Sequence, residues 1–151
     1  MRVCGSTETE LERWLERLLP DPQAALAVPL ALVARQQTAG RGQRGRTWSS
    51  PPGGVWLSAA LPWHGDPAAR AAPSLAVAVG LALQLETLQL PVRIKWPNDL
   101  VLIEPAGGWR KLAGVLPRLR LRAGCCRWLQ VGVGLNGRNP VPPGAINLHH
   151  S

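Results

Sequence analysis

The chain contains no phenylalanine and no tyrosine, only two lysines, three cysteines, three histidines and one methionine in 151 residues. Each scarcity removes a class of protein. Cys4, Cys125 and Cys126 are odd in number and two are adjacent, which is neither a disulfide framework nor a CxxC metal site. Free buried thiols are expected instead. His64, His149 and His150 have no acidic or thiol ligand at metal-binding spacing. No apolar run is long enough to span a bilayer. The first residues, "MRVCGSTETELERWLERL", lack the basic-then-apolar order of a signal peptide. A cytoplasmic protein with no membrane partner is expected. The missing Phe and Tyr, beside seven tryptophans, mark a bias of the whole composition of the kind a GC-rich genome produces.

What is present is arginine. The net charge is +8 and the pI near 11.2, which raises a polyanion partner. The charge comes from 15 arginines, within the same bias, and no aromatic-basic stacking motif or recognition helix accompanies it. The two lysines, Lys95 and Lys111, therefore stand out, since a compact ammonium on a flexible stem does what a planar guanidinium cannot. With 46% hydrophobic residues and this length, a single domain over residues 1–151 is expected.

A short strand over 1–4 leads to Ser6 or Thr7 as an N-cap, with Glu10 completing a capping box on Thr7. Leu11, Trp14, Leu15, Leu18 and Leu19 follow at helical spacing, predicting a helix over 8–19. Strands are predicted over 27–34, 55–61, 92–95, 100–104, 111–122 and 126–133, a helix over 74–90, and turns at 105–108 and 123–124. Residues 36–54 read as a long loop without regular structure. The order argues α+β: a mixed, largely antiparallel sheet with helices packed on one side.

G-x-G-x-x-G occurs at Gly40/Gly42/Gly45 and at Gly132/Gly134/Gly137, but neither run is followed by a helix, so the dinucleotide reading fails. The first run, "GRGQRGRTW", still carries glycines for close approach and arginines for anions. It reads either as a mobile lid over a small anionic ligand or as a solvated basic loop. "KWPND" at 95–99 gathers Lys95, Asn98 and Asp99, suited to phosphate and Mg²⁺, or to an ordinary turn. "KLAG" at 111–114 places a strand glycine near Lys111, marking either a ligand's approach or an edge bulge. "LPRLRLR" at 116–122 reads as a solvated strand face, with an acidic partner as the alternative.

Taken together, "STE" at 6–8, "RQQTAGRGQRGRTWSSPPGGVWLS" at 35–58, "KWPNDL" at 95–100, "KLAGVL" at 111–116 and "VGVGLN" at 131–136 resemble the catalytic domain of biotin–protein ligases. The resemblance implies a class II synthetase-like catalytic domain. It implies ATP-dependent joining of biotin to a lysine of the biotin carboxyl carrier protein of acetyl-CoA carboxylase, through biotinyl-5′-AMP and with Mg²⁺. It implies biotin contacts from Ser6, Thr7, Gln37, Arg41, Gly42, Gln43, Lys111 and Gly114. Nucleotide contacts would come from Arg41, Arg44, Arg46, Trp48, Lys95, Asn98, Asp99 and Asn136, with Asp99 at Mg²⁺. Lys111 and Arg41 would be catalytic. Two positions depart from well-known bacterial members: Gln43 where they carry Arg, and Glu8 where they carry Asn. The match implies no N-terminal helix-turn-helix, hence no DNA partner, and a chain that stops before the small C-terminal β-barrel. Its alternatives are a non-catalytic biotin- or nucleotide-binding remnant, a lipoate–protein ligase relative and, last, a basic nucleic-acid-binding protein.

Overall fold

The computed structural model describes residues 1–21, 23–63, 72–105, 107–122 and 125–149. The elements run β1 (Val3–Cys4), α1 (Thr7–Leu18), β2 (Leu30–Ala34), β3 (Gln36–Gln37), β4 (Val55–Leu61), α2 (Ala72–Glu86), β5 (Val92–Lys95), β6 (Asp99–Ile103), β7 (Trp109–Arg122) and β8 (Cys125–Leu135). Six strands form a wholly antiparallel sheet in the order β2-β4-β8-β7-β6-β5, while β1 and β3 pair in parallel beside it. The expected α+β class with a largely antiparallel sheet is what forms. The predicted turn at 123–124 lies outside the described residues.

Strand alternation decides where the helices sit. Successive side chains of a strand point to opposite faces. On β8, Trp128 packs with Leu11 and Leu15 of α1, together with Leu32 and Ala60. Its neighbours Leu129 and Val131 pack with Ala78, Ala82 and Leu85 of α2. The helices therefore cover opposite faces, not the single side expected, because both faces of β8 carry large apolar side chains. Leu11 and Leu15 are almost fully buried, worth about 1.5–3 kcal/mol each in apolar transfer.

Three local expectations change. The capping box does not form: Ser6 is the N-cap and makes no side-chain cap bond. Thr7 Oγ1 instead hydrogen-bonds to Gln37 and Ser58, and Glu10 pairs with Arg13. Residues 36–54 are not structureless. Gln37 bridges to Ser50, and residues 40–48 close a small hairpin through an Arg41–Thr47 bridge. The predicted second helix ends at Glu86, with Gln89 in the left-handed region (φ 59°) breaking the run before β5.

Arg118 and Arg120 of "LPRLRLR" already have acidic partners within the chain. Glu8, Glu12 and Glu16 recur every four residues on α1 and so share one stripe. Arg118 Nε lies 3.1 Å from Glu8, Arg120 Nη2 2.8 Å from Glu12, and Arg127 Nη1 3.0 Å from Glu16. Arg127 is buried at 2% exposure and also donates to the carbonyls of Leu19, Asp21 and Ala24, pinning the chain that leaves α1. Cys4 is a buried free thiol, as expected, while Cys126 is free but only half-buried; burial pushes both thiols up, so neither is a ready nucleophile.

Arg127→Ala removes the clamp at the end of α1 and strands several carbonyls. The expected loss is about 3 kcal/mol, measured as a lower denaturation midpoint with an unchanged slope.

Candidate active site

The site is built on a gap in the sheet's side chains. On the α1 face, Gly114 of β7 pairs with Gly134 of β8, and Gly132 lies opposite both Leu116 and Ser58. Without β-carbons these strands leave a floor low enough for a ring to lie on. The indole of Trp48 does so: a β-carbon on Gly134 would fall 2.5 Å from Trp48 Nε1, and one on Gly114 would fall 3.1 Å from Trp48 Cζ3. The ligand approach expected at Gly114 is, in this structure, the approach of Trp48. The bulge alternative is met as well, though on an interior strand: Leu100 pairs with Ala113 and Val101 with Lys111, which leaves Leu112 of β7 as the extra residue between Lys111 and Gly114.

Above the floor is a cavity of about 290 Å³. One end is closed and polar. Ser6, Thr7, Glu8 and Ser58 are all buried there, where the start of α1 meets β4. Gln37 Oε1 accepts from Thr7 N at 2.7 Å and Thr7 Oγ1 at 3.0 Å, and Thr7 Oγ1 lies 2.9 Å from Ser58 Oγ. Gln37 Nε2 donates to Ser50 Oγ at 2.8 Å, so the amide's orientation is fixed by its partners.

The other end is open and charged. Arg41, Gly42, Gln43 and Arg46 line it from the 40–48 hairpin, facing Lys111 and Asp99 from the sheet. The hairpin holds itself together: Gly42 N–H donates to Arg46 O, Trp48 N–H to Gly40 O, and Arg44 (φ 56°) and Gly45 (φ 75°) turn its tip. Lys111 Nζ sits 2.7 Å from Asp99 Oδ1 and 5.0 Å from the centre of the Trp48 ring. A carboxylate and an aromatic face thus aim an ammonium at the cavity mouth.

Of the residues expected from sequence, Ser6, Thr7, Gln37, Arg41, Gly42, Gln43, Arg46, Trp48, Asn98, Asp99, Lys111, Gly114 and Asn136 all line this one cavity. Arg44 and Lys95 do not. Arg44 is exposed at the hairpin tip, and Lys95 lies 3.5 Å over the Trp109 ring at the sheet's far edge. Asn98 and Asn136 line the wall with amides already engaged. Asn98 Nδ2 donates to Val115 O, and Asn136 Nδ2 to Ile146 O, while Asn136 Oδ1 accepts from Asn139. Asn136 thereby holds residues 145–146 against Lys111, whose backbone pairs with them. Sequence reasoning missed Ser58, Gly132 and Gly134 as lining residues. The glycine alternation in "VGVG" was the available signal, obscured by its likeness to a dinucleotide fingerprint. Among the described residues, no group of three His, Cys, Asp or Glu could hold a metal ion, and no helix is long and apolar enough to cross a membrane.

Residues 6–136, which contain almost every lining residue, match the Biotin/lipoate A/B protein ligase family. The chain belongs to that family. Within it, the similarity runs to the catalytic domain of biotin–protein ligases. The bifunctional ligase/repressor BirA of Salmonella typhimurium is 42% identical over 108 residues, covering 70% of this chain and 32% of BirA. The biotin–[acetyl-CoA-carboxylase] ligase of Paracoccus denitrificans is 35% identical over 118 residues, covering 76% of this chain and 47% of that enzyme. A biotin protein ligase from Aquifex aeolicus, solved in complex with biotin and ATP, matches with a TM-score of 0.69 at 30% identity over 99% of this chain and 58% of that one. This member of the family therefore spans less than two thirds of the length of each of these relatives.

Gly134→Ala is expected to lift Trp48 from the floor while leaving the sheet intact. Amide exchange over 40–48 should accelerate by about tenfold or more, with the thermal midpoint within a few degrees of the parent, measured by hydrogen-exchange mass spectrometry and a melt.

Proposed function

We propose that this chain carries the catalytic site of an ATP-dependent biotin–protein ligase. The observation that supports this most is the asymmetry of the cavity: a closed polar end fit for an uncharged head group, and an open end where Arg41, Arg46 and Lys111 converge. Biotin has that form, an uncharged cyclic urea joined by an alkyl chain to a carboxylate. Its carboxylate oxygen would attack the α-phosphorus of ATP. The new O–P bond gives biotinyl-5′-AMP, and pyrophosphate leaves with the electron pair of the broken bond. The amine of a carrier lysine would then attack the carbonyl carbon of the mixed anhydride, form the amide and release AMP. The carrier we assign is the biotin carboxyl carrier protein of acetyl-CoA carboxylase.

Both steps crowd negative charge into one place, and holding fixed cations there before the reaction is where the stabilisation lies. Lys111, oriented by Asp99 and Trp48, would face the carboxylate and the α-phosphate. Arg41 would bridge the same two groups, and Arg46 would meet the outer phosphates. Ser6, Thr7, Gln37, Gly42, Gln43 and Gly114 would enclose biotin, and Trp48 would cover the junction. Among the described residues, Asp99 is the single carboxylate lining the charged end. One carboxylate suits a Mg²⁺ that would arrive with ATP and does not build a protein cage for a resident ion, so Asp99 is the residue that would hold it. Such an ion would neutralise phosphate charge.

Incubation with biotin, Mg-ATP and an apo carrier domain should give a carrier heavier by one biotinyl group. A folded sample yielding neither this product nor biotinyl-AMP, but still binding biotin in a calorimeter, would indicate the non-catalytic binding remnant instead. Lys111→Ala should lower adenylate formation by roughly a hundredfold or more with its thermal midpoint kept. Unfolding of that variant would assign Lys111 to the scaffold.

A further inference from the structure

Beside Lys111 the sheet runs out of strand. β8 ends at Leu135, opposite Ala113, and Asn136 N–H still donates to Leu112 O at 3.0 Å. Lys111 lies one residue further out, past the end of β8. The chain leaves the sheet at Gly137 and returns to fill the space. Lys111 N–H donates to Gly144 O at 3.0 Å, and Ile146 N–H donates to Lys111 O at 2.9 Å. The result is a parallel bridge between Lys111 and Ala145, beside a sheet that is otherwise antiparallel. Two hydrogen bonds to a returning loop open easily unless the loop is held from elsewhere.

Three buried asparagines, Asn136, Asn139 and Asn147, hold it. Asn139, 1% exposed, is their centre. Its Nδ2 donates to Asn136 Oδ1 at 3.2 Å and to Pro140 O at 3.0 Å, and its Oδ1 accepts from Gly137 N–H at 3.0 Å. Its main-chain oxygen accepts from Asn147 Nδ2 at 2.8 Å. With its amide oxygen directed at Asn139, Asn136 turns Nδ2 to Ile146 O at 3.1 Å, and Leu148 N–H returns to Asn136 O. The central place needs a side chain that donates and accepts at once, as an amide does. On its other side Asn139 is wedged against the turn that leads into β4. Arg138 N–H donates to Gly53 O at 2.7 Å, and a β-carbon on Gly54 would fall 2.9 Å from Asn139 Oδ1. The network thus ties the returning segment, and with it the main chain of Lys111, to the body of the sheet.

We infer that Asn139 is a positioning residue for Lys111: it fixes the amide of Asn136 and the path of residues 144–147, and through them the main chain from which the Lys111 ammonium is aimed. This rests on the ligase reading of the cavity and deepens it. Asn139 is not among the residues lining the cavity, so it acts on the reaction only through Lys111. Asp99 and Trp48 orient the far end of the lysine side chain, and Asn139 sets where that side chain begins. The bulge makes the support necessary. Leu112 is its extra residue, next to Lys111, so the ladder to β6 is irregular where Lys111 needs to be fixed. Small displacements of such a group matter, because rate falls steeply when a charge is held out of line with the reacting atoms.

The test is a double-mutant cycle in the full chain, with biotin and Mg-ATP as substrates and pyrophosphate release as the readout. Asn139→Ala should lower kcat for adenylate formation by roughly tenfold. In a Lys111→Ala background the same substitution should cost less than about twofold, since the group it positions is gone. The main-chain amides of Lys111 and Ile146 should exchange about tenfold faster or more in Asn139→Ala, followed residue by residue by NMR. Arg127→Ala is the control for a merely structural effect: below its own midpoint its kcat should stay within about twofold of the parent. A loss that multiplies in full in the Lys111→Ala background, or an Asn139→Ala chain with the parental kcat, overturns the inference and leaves the ligase reading standing. A folded parent that forms no biotinyl-AMP overturns the ligase reading and this inference with it. Should Asn139→Ala fail to fold, Asn139→Asp decides by the same cycle, since it keeps the shape and the acceptor for Gly137 but loses the donor to Asn136. A loss that disappears when Lys111 is absent supports the assignment; a loss that persists, or none at all, overturns it.

Discussion

The pairing of β7 with β8 is the constraint on which the site depends. Its register puts Gly114 opposite Gly134 and Leu116 opposite Gly132 on the face shared with α1. A slip by one residue would exchange every side chain between the two faces. It would fill the floor with Val115 and Val133 and turn the glycines onto the α2 core. That same register sends Arg118 and Arg120 towards the acidic stripe of α1, and that pairing seats the start of the helix, with Ser6, Thr7 and Glu8, at the closed end of the cavity. Cavity floor, end wall and helix position thus follow from a single hydrogen-bonded ladder.

The charge of the molecule is better understood from this arrangement than from its sum. A net charge of +8 suggests a surface seeking a polyanion. Arg118, Arg120 and Arg127 instead meet glutamates of α1. Arg41 and Arg46, by contrast, line the open end of the cavity. One set of arginines serves the fold and the other faces the ligand space, a division that a net charge cannot express.

Much of the fold was legible in the sequence because its signals are local. Alternating apolar residues gave β4 and β5 their boundaries, and the i, i+4 apolar line of Leu11 and Leu15 gave α1. Most of the site was legible because its residues come in compact runs of glycine, arginine and lysine. What escaped depends on partners distant in sequence. Which face each helix covers is decided by Trp128 against Leu129, neighbours whose directions are fixed only by strand pairing. Thr7 looked like a cap because its real partner, Gln37, lies 30 residues away. Lys95 and Arg44 sit within the right motifs but point elsewhere: one stacks on Trp109, and the other turns the tip of a hairpin.

The small hairpin of residues 40–48 has a further consequence. Its two arms are joined by their own main-chain bonds, Gly42 to Arg46 and Gly40 to Trp48, so its shape does not depend on what it covers. Arg41, Arg46 and Trp48 are therefore mounted on one stiff arm. When that arm shifts, they travel together. The entropy lost in engaging a ligand is then close to that of one body settling against another, not of three side chains and nine free backbone units being ordered separately. Glycine gives this arm its fold, and arginine and tryptophan form its grip.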